Sequence, residues 1–352
     1  MIEKVKRFFK KFSWQSFNII SLCVAAILLW VVVVGNQGFG GLLARWGSLS
    51  PKWMLAALAC MAGYWLLEGI EVHWLVGCLY RGVSLRSNLR TAMIGQLYSA
   101  LTPFSTGGQP IQIIYMQRDG LDTGGGAAVL TYKTILYQVG QMLFAMLAVT
   151  SSYGLFREKV PGFGWMSWVG FLINLLVTGG MLLLAFSPRV TTMLYRGVIR
   201  VLHALRLVRD VETATAKAQL QFDIYHKSAR LFERSKRQVL RTMVATCLQM
   251  LMLYSVPVMI AYAFGYRNVD ILRVIAAVAF VTMVSAYVPL PGGSGAAEGS
   301  FVLFFGIFFQ ASDLLVALLL WRLITYYAGI VVGALVMMIS KKRQRACVRI
   351  VD

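Results

Sequence analysis

Residues 99–109, SALTPFSTGGQ, and residues 285–298, SAYVPLPGGSGAAE, are similar strings that interrupt two otherwise apolar segments of the chain. Pro103 and Pro289 are 186 residues apart, and Gln109 and Glu298 are 189 apart. The same residue types recur 24, 28 and 31 residues after each string, as Lys133, Tyr137 and Gly140 and as Arg322, Tyr326 and Gly329. Gly/Pro interruptions at corresponding places in two apolar halves are typical of a transporter binding site.

The composition excludes a water-soluble domain. Of the 352 residues, 58% are hydrophobic and 14% are charged, and the mean hydropathy is +0.68. A soluble surface needs more charge than this, and the apolar residues form runs of the roughly 20 residues that cross a bilayer as a helix. We therefore predict an all-α polytopic membrane protein.

Six apolar runs are long enough for full transmembrane helices, at about 16–35, 53–79, 124–150, 165–187, 241–264 and 312–339. The two segments that contain the similar strings, about 88–118 and 270–310, have an apolar arm on each side of the break. We predict that both are re-entrant hairpins, since irregular backbone at membrane depth must be buried in protein or line a cavity. The chain is then one membrane domain, 1–352, with repeat one at about 53–187, a basic segment at about 188–240 and repeat two at about 241–340.

Positive charge predicts how the chain is threaded. The N-terminal 12 residues, the loop after the second predicted helix, the segment 189–241 and the tail 341–349 hold 25 of the 34 Lys and Arg residues. Cytoplasmic loops are enriched in Lys and Arg, and all four segments are cytoplasmic if the first hairpin enters from the inside and the second from the outside. Both termini are then cytoplasmic and the repeats have inverted topology, which suits alternating access around a midplane site.

Several charged residues lie within the apolar segments: Glu68, Glu71, Lys133, Glu298 and Arg322. Ionisable groups at the bilayer centre usually mark a pathway or a pair. One interpretation is structural ion pairing of Glu298 with Arg322, and of Lys133 with a carboxylate of the second helix. The other is contact with a charged headgroup, with a coupling proton on Glu68, Glu71 or Glu298. The three His and five Cys residues have no ligand-like spacing, so we predict no metal site and no cofactor.

The glycines of the two strings predict an anion site. Gly107 and Gly108 in the first string, and Gly292, Gly293 and Gly295 in the second, can adopt positive φ and expose successive backbone N–H groups. A turn of this kind before a helix N-terminus can bind phosphate or carboxylate, and the neighbouring Ser and Thr hydroxyls add neutral donors. The alternative is that the glycines only allow the chain to reverse tightly.

The segment between the repeats is basic and amphipathic. Residues 189–241 hold twelve Lys or Arg against four acidic residues, and apolar residues from Val198 to Val208 recur at helical spacing. We expect helices that lie against the anionic cytoplasmic leaflet, either to collect anionic headgroups or only to anchor the chain. The net charge of +20 follows the topology and forms no separate basic domain, so we expect no nucleic acid partner.

Residues 101–110, LTPFSTGGQP, and 288–299, VPLPGGSGAAEG, resemble the signatures of the flippase-like transmembrane domain of lysylphosphatidylglycerol synthase/flippase proteins. The resemblance covers nearly the whole chain. It implies a helical bundle that moves lipids between leaflets, and it supports Gln109, Glu298 and Arg322 as site residues. In the bifunctional members of the family, the lipid that this domain moves is aminoacylated phosphatidylglycerol. This chain ends at Asp352 without a soluble aminoacyl-transferase domain. We therefore expect a stand-alone member that does not synthesise the aminoacyl lipid, with its cargo open.

We predict a lipid flippase of the bacterial inner membrane, not an enzyme. It moves a phospholipid, an aminoacyl-phospholipid or a polyprenyl-linked lipid by alternating access, and its partners are membrane lipids with anionic headgroups. The first alternative is a non-transporting membrane partner of a lipid-synthesising enzyme or glycosyltransferase. The second is an intramembrane enzyme, for which the sequence offers no recognisable nucleophile and base.

The headgroup is predicted to bind at the midplane between the two strings. The predicted substrate-binding residues are Pro103, Ser105, Thr106, Gly107, Gly108, Gln109, Lys133, Tyr137, Pro289, Gly292, Gly293, Ser294, Glu298, Arg322 and Tyr326. The predicted residues for charge pairing or proton coupling are Glu68, Glu71 and Glu298. We predict no catalytic residue.

Overall fold

The computed structural model describes residues 46–340 except 206, 208–209, 287 and 289, together with Gly40 and the backbone of residues 349–350. The first predicted helix, 16–35, and both termini lie outside the described residues. So does Pro289, one of the predicted site residues.

Residues 46–340 form eleven α-helices. They are α1 Pro51–Leu79, α2 Leu85–Leu101, α3 Gly108–Arg118, α4 Thr123–Lys159, α5 Phe163–Phe186, α6 Pro188–Ala204, α7 Val211–Arg234, α8 Lys236–Ala263, α9 Ile271–Ser285, α10 Ala296–Phe305 and α11 Ala311–Ile339. Helix α11 contains a π-helical turn at Leu323–Tyr327, and short 3₁₀ turns occur at Trp46–Ser48, Pro103–Ser105 and Pro291–Gly293. Two short strands, β1 Tyr80–Arg81 and β2 Arg349–Ile350, pair antiparallel.

Five of these helices, α1, α4, α5, α8 and α11, are long and apolar enough to cross a membrane. Each matches a predicted transmembrane helix within a few residues at the start. The chain is an all-α polytopic membrane protein, as predicted.

The two broken segments fold back on themselves. The first hairpin is α2, the turn Pro103–Ser105 and α3, and the second hairpin is α9, the turn Pro291–Gly293 and α10. At about 1.5 Å per residue, the longest arm, the 17 residues of α2, measures about 26 Å, less than the hydrocarbon core of about 30 Å. The arms of each hairpin pack against each other, and the two turns are in contact. This is the geometry predicted for re-entrant hairpins.

The two repeats run in opposite directions. Their first helices, α1 and α8, are antiparallel: at one end the Ser50 amide donates a 3.0 Å hydrogen bond to the Ala263 carbonyl. At the other end the Arg241 guanidinium lies 4.6 Å from the Trp74 ring centroid. The remaining packing is reciprocal, since α2 packs against α11 and α9 packs against α4. The hairpin of each repeat therefore lies against the long helix that follows the hairpin of the other repeat, as in the predicted inverted repeats.

An aromatic cluster fixes the second hairpin. Phe280 of α9 and Phe304 of α10 stack with ring centroids 5.7 Å apart and an interplanar angle of 8°. Phe156 of α4 and Phe163 of α5 contact both rings edge-on, and all four side chains are buried. Aromatic pairs of this kind add about 0.5–1.5 kcal/mol each beyond buried area. The cluster therefore holds both arms of the second hairpin against the first repeat.

An ion pair closes the base of the first hairpin. The Arg90 Nη2 atom of α2 lies 2.7 Å from Asp119 Oδ1, and Asp119 directly follows α3. The Ser87 hydroxyl donates a hydrogen bond to the same carboxylate. Because both arms meet at one buried carboxylate, their spacing at the base is fixed.

The basic segment forms the pair α6 and α7, which pack through Tyr195 stacked on Phe222 with centroids 5.1 Å apart. Apolar side chains of α6, including Met193 and Val198, are exposed, as expected of an amphipathic helix at a membrane surface.

Helix α8 begins at Lys236, five residues before the predicted start at 241. Part of the basic segment therefore belongs to the first turns of α8.

Replacing Gly333 with Ala is expected to lower the free energy of unfolding by about 1–3 kcal/mol through overpacking. A Cβ atom on Gly333 would lie 2.7 Å from the Met93 carbonyl oxygen of α2 and 2.9 Å from Leu97 Cβ. The matched control is Gly329→Ala, one turn away on α11, whose Cβ would meet nothing closer than Trp65 at 3.7 Å. Denaturant unfolding in detergent, followed by circular dichroism, measures both variants. Equal stabilities would show that α2 and α11 do not approach this closely.

Candidate functional site

A cavity of about 240 Å³ lies where the two hairpin turns meet. Its wall is formed by both turns, by the first helix of each repeat, and by α2, α9 and α11. Its polar lining residues are Tyr64, Gln96, Ser99, Ser105, Thr282, Ser285, Arg322, Thr325 and Tyr326. The cavity therefore combines neutral hydroxyl and amide groups with one cationic group.

Arg322 is the cation of this cavity and is 7% exposed. Its Nε atom lies 2.7 Å from Glu298 Oε1, and its Nη1 donates a 3.1 Å hydrogen bond to the Gly292 carbonyl. Its Nη2 is buried and has no hydrogen-bond partner among the described residues. Since a buried polar group normally has a partner, this nitrogen is an unsatisfied donor on a side chain that lines the cavity.

Glu298 joins the second turn to Arg322. Its Oε2 accepts a 2.5 Å hydrogen bond from the Gly295 amide, the N-cap residue of α10, while Oε1 faces Arg322. The carboxylate therefore occupies the helix N-terminus where the sequence predicted an external anion. The Glu298 side chain is 36% exposed, compared with 8% for the Arg322 side chain. Of the two partners, Glu298 is the one that can move toward solvent.

Tyr326 connects the two repeats at the cavity. Its hydroxyl donates a 2.8 Å hydrogen bond to the Ala100 carbonyl at the end of α2. Its ring lies against Gly292, where a Cβ atom would be 2.1 Å from Tyr326 Cε2. Gly292 and Gly293 also have φ of +61° and +62°, so the second turn needs glycine both for its conformation and for this contact.

The hydrogen bonds within the two turns show which residues of one turn are equivalent to which residues of the other. In the first turn the Ser105 amide donates to the Thr102 carbonyl at 3.2 Å, and in the second the Gly293 amide donates to the Leu290 carbonyl at 3.0 Å. The next residue in each turn, Thr106 or Ser294, also donates through its side chain to the turn proline. Pro103 is therefore equivalent to Pro291, and the sequence pairing of Pro103 with Pro289 was wrong.

The prediction of positive φ at Gly107 and Gly108 was also wrong. Gly107 has φ of −74°, and the positive φ angles of the first turn occur at Phe104 and Ser105, both +54°. Gly107 and Gly108 are needed for space. A Cβ on Gly107 would lie 2.5 Å from Thr102 Cγ2, and one on Gly108 would lie 2.6 Å from the Gly95 carbonyl oxygen. Glycine here allows α3 to start directly against α2.

The predicted polar residues Thr106, Gln109 and Ser294 do not line the cavity. Thr106 is exposed and Ser294 is partly buried, and each hydroxyl is engaged within its own turn. Gln109 is exposed and donates a 2.8 Å hydrogen bond to the Thr134 hydroxyl of α4. Thr106 and Ser294 therefore support their turns and Gln109 links α3 to α4, whereas Ser105, Gly292, Gly293, Arg322 and Tyr326 line the cavity.

A second ion pair lies in the first repeat. The Lys133 Nζ atom is 2.5 Å from Glu68 Oε1, and Gln96 donates a hydrogen bond to Glu68 Oε2. Tyr64 and Tyr137 lie near the same carboxylate. Because Gln96 and Tyr64 line the cavity, this network reaches the cavity wall although Lys133 and Glu68 do not line it.

Sequence reasoning missed several cavity residues, notably Gln96, Thr282 and Thr325. The available signal was an isolated polar residue in an apolar helix, which is weak because Ser and Thr hydroxyls commonly bond their own helix. The π-helical turn directly after Arg322 was missed as well. Such turns occur frequently at functional sites.

Comparison with known protein families identifies the family of this chain. Residues 18–333 match the family described as the lysylphosphatidylglycerol synthase TM region. The chain belongs to this family. A similar protein is a UPF0104 membrane protein of Archaeoglobus fulgidus, 24% identical over 294 residues that cover 81% of this chain and 86% of that protein. The lysylphosphatidylglycerol synthase TM match includes both hairpins and the cavity, so the resemblance drawn from the two strings is confirmed.

Proposed function

We propose that this member of the lysylphosphatidylglycerol synthase TM family is a lipid flippase and not an enzyme. It moves a lipid with a polar, anionic headgroup between the leaflets of the cytoplasmic membrane. The observation that carries the proposal is the buried Arg322 guanidinium, which lines a cavity between two inverted hairpins and keeps one nitrogen without a partner among the described residues.

The chemistry of the cavity fits a phosphodiester. The planar guanidinium of Arg322 matches the geometry of phosphate oxygens, and the surrounding hydroxyl and amide groups supply neutral hydrogen bonds to the rest of a headgroup. The volume of about 240 Å³ is below the roughly 300–1,000 Å³ of pockets for drug-sized ligands. A headgroup therefore enters the cavity while the acyl chains remain in the bilayer.

The proposed transport step is an exchange of anions at Arg322. Glu298 is paired with Arg322 in this structure and is the more exposed partner. A headgroup phosphate replaces Glu298, and the two repeats then rock so that the cavity opens to the other leaflet. The basic helices α6 and α7, with both termini, are proposed to face the cytoplasm, where Lys and Arg are enriched.

The test is leaflet-resolved lipid transport by the purified full chain in liposomes, with phosphatidylglycerol, its lysyl ester and a polyprenyl phosphate. Wild-type protein is expected to accelerate the crossing of at least one of these lipids over protein-free liposomes. The variant Ala286→Phe places a ring in the cavity and is expected to return crossing to the protein-free rate. The matched control Val331→Phe adds a similar ring on the exposed side of α11 and is expected to transport normally.

Two results would contradict the proposal. If wild-type protein accelerates none of the three lipids, with or without an imposed proton gradient, the chain is better explained as a non-transporting partner of a lipid-modifying enzyme. If Ala286→Phe and Val331→Phe transport equally well, the lipid headgroup does not pass through this cavity.

A further inference from the structure

Glu71 of α1 is fully buried in the bundle. Its exposure is 0%, and neither carboxylate oxygen has a hydrogen-bond partner among the described residues. An ionised carboxylate in such a place is strongly unfavourable, because it loses water without gaining a counter-charge or hydrogen bonds. The proposed transport step does not use this residue.

The neighbouring charges do not supply a free partner. Among the described residues, the titratable groups that interact electrostatically with Glu71 are Tyr64 and Glu68 on its own helix, Lys133 and Tyr137 on α4, and Cys247 on α8. From α2, the side chains that bond to α1 near this helix turn, Asn88 and Gln96, are uncharged amides, and their partners are His73 and Glu68. Lys133 is the one cation of this group, and it lies 2.5 Å from Glu68. Two carboxylates therefore share one cation, and Glu68 holds it.

Thr246 of α8 can accept a hydrogen bond from a neutral acid at Glu71. Thr246 faces Glu71, and its hydroxyl donates a 2.9 Å hydrogen bond to the Thr242 carbonyl. That oxygen can still accept a hydrogen bond, but it has no second proton to donate to a carboxylate. Gln249 lies three residues further along α8 and so on the same face. It is also fully buried, with neither amide atom partnered among the described residues.

We propose that Glu71 is a proton-binding site, occupied in this state, whose proton is released to water when the bundle opens. On release, the O–H bond breaks and a carboxylate remains on Glu71, which then competes with Glu68 for protonated Lys133. Loss of the Glu68–Lys133 contact frees Glu68 and its partner Gln96 at the cavity wall. The coupling of this step to lipid movement rests on the proposed function, whereas the proton site does not.

Infrared spectroscopy of the purified full chain tests the site directly, because a protonated carboxylic acid has a C=O stretch that is resolved from the carboxylate bands. At neutral pH, wild-type protein is expected to show this band. Glu71→Gln is expected to lose it, and Glu71→Asp, which keeps the acid, is expected to shift it. The control Glu158→Gln changes an exposed carboxylate and is expected to leave it unchanged. A wild-type spectrum without the band, or a band that survives Glu71→Gln, would overturn the proposal.

The coupling is tested with an imposed pH gradient across liposomes. Wild-type lipid crossing is expected to respond to the gradient, and Glu71→Gln is expected to lose that response while it still transports without a gradient. Insensitivity of the wild-type protein to the gradient would remove the coupling. If no lipid crosses but the infrared band depends on Glu71, the proposed function fails and the proton site stands.

Discussion

Replacing Glu68 with Gln is expected to lower the free energy of unfolding by about 3–5 kcal/mol, the cost of removing one partner of a buried ion pair. Glu68 is 5% exposed, and its carboxylate contacts both Lys133 and Gln96. Without it, the Lys133 ammonium loses its contacting carboxylate, and Glu71, which is proposed to be protonated, must first lose its proton to compensate the charge. Denaturant unfolding in detergent, followed by circular dichroism, measures the loss.

The double variant Glu68→Gln/Lys133→Met separates the ion pair from general packing. Removing both charges is expected to recover most of the lost stability, because a buried pair can often be replaced by neutral groups at little cost. The control Glu158→Gln breaks an exposed contact with Lys159 at 3.4 Å and is expected to change stability by less than about 1 kcal/mol. A double variant as unstable as the single one would mean that the pair is not the source of the effect.

Replacing Arg322 with Ala is expected to reduce lipid crossing by about 10- to 100-fold, which corresponds to losing about 1.5–3 kcal/mol of hydrogen bonding to a charged group. The guanidinium is the only cationic side chain that lines the cavity within the described residues. Arg322→Lys keeps the charge but loses the planar fork, so an intermediate rate is expected. The liposome transport assay gives all three rates.

The matched control is Arg273→Ala on α9 of the same hairpin. Arg273 is about half exposed and pairs with Asp270 at 3.0 Å, one turn along the helix. This variant is expected to transport at the wild-type rate. Normal transport by folded Arg322→Ala would remove the headgroup role of Arg322 and leave its contact with Glu298 as a purely structural pair.

The sequence predicted the helices well because their length and hydropathy are local properties. The start of four of the five spanning helices follows from the apolar run and from the charged or turn residues before it, whereas α8 begins five residues earlier, within the basic segment. Both hairpins were also predictable, since the two Gly/Pro strings break apolar arms that are individually too short to span a bilayer. The pairing of Glu298 with Arg322 and of Glu68 with Lys133 was among the interpretations that the charge pattern left open, and the geometry agrees with it.

The details of the turns were not predictable in the same way. The sequence offers glycines at 107 and 108, but only the packing of α3 against Thr102 and Gly95 shows that they provide space and not positive φ. Phe104 and Ser105 take the positive φ angles, which no residue preference favours. The equivalence of Pro103 with Pro291 likewise depends on the hydrogen bonds of the folded turns.

The sequence by itself determined the class of protein, the two repeats, the break in each hairpin and the small set of membrane charges. These follow from composition, spacing and the cost of placing charge in lipid. Only the tertiary structure decided that the two turns meet, that Arg322 and Gln96 line one cavity, and that Glu71 is buried with no hydrogen-bond partner among the described residues. Each of these depends on contacts between residues far apart in the chain, and such contacts are set by how the antiparallel repeats pack together.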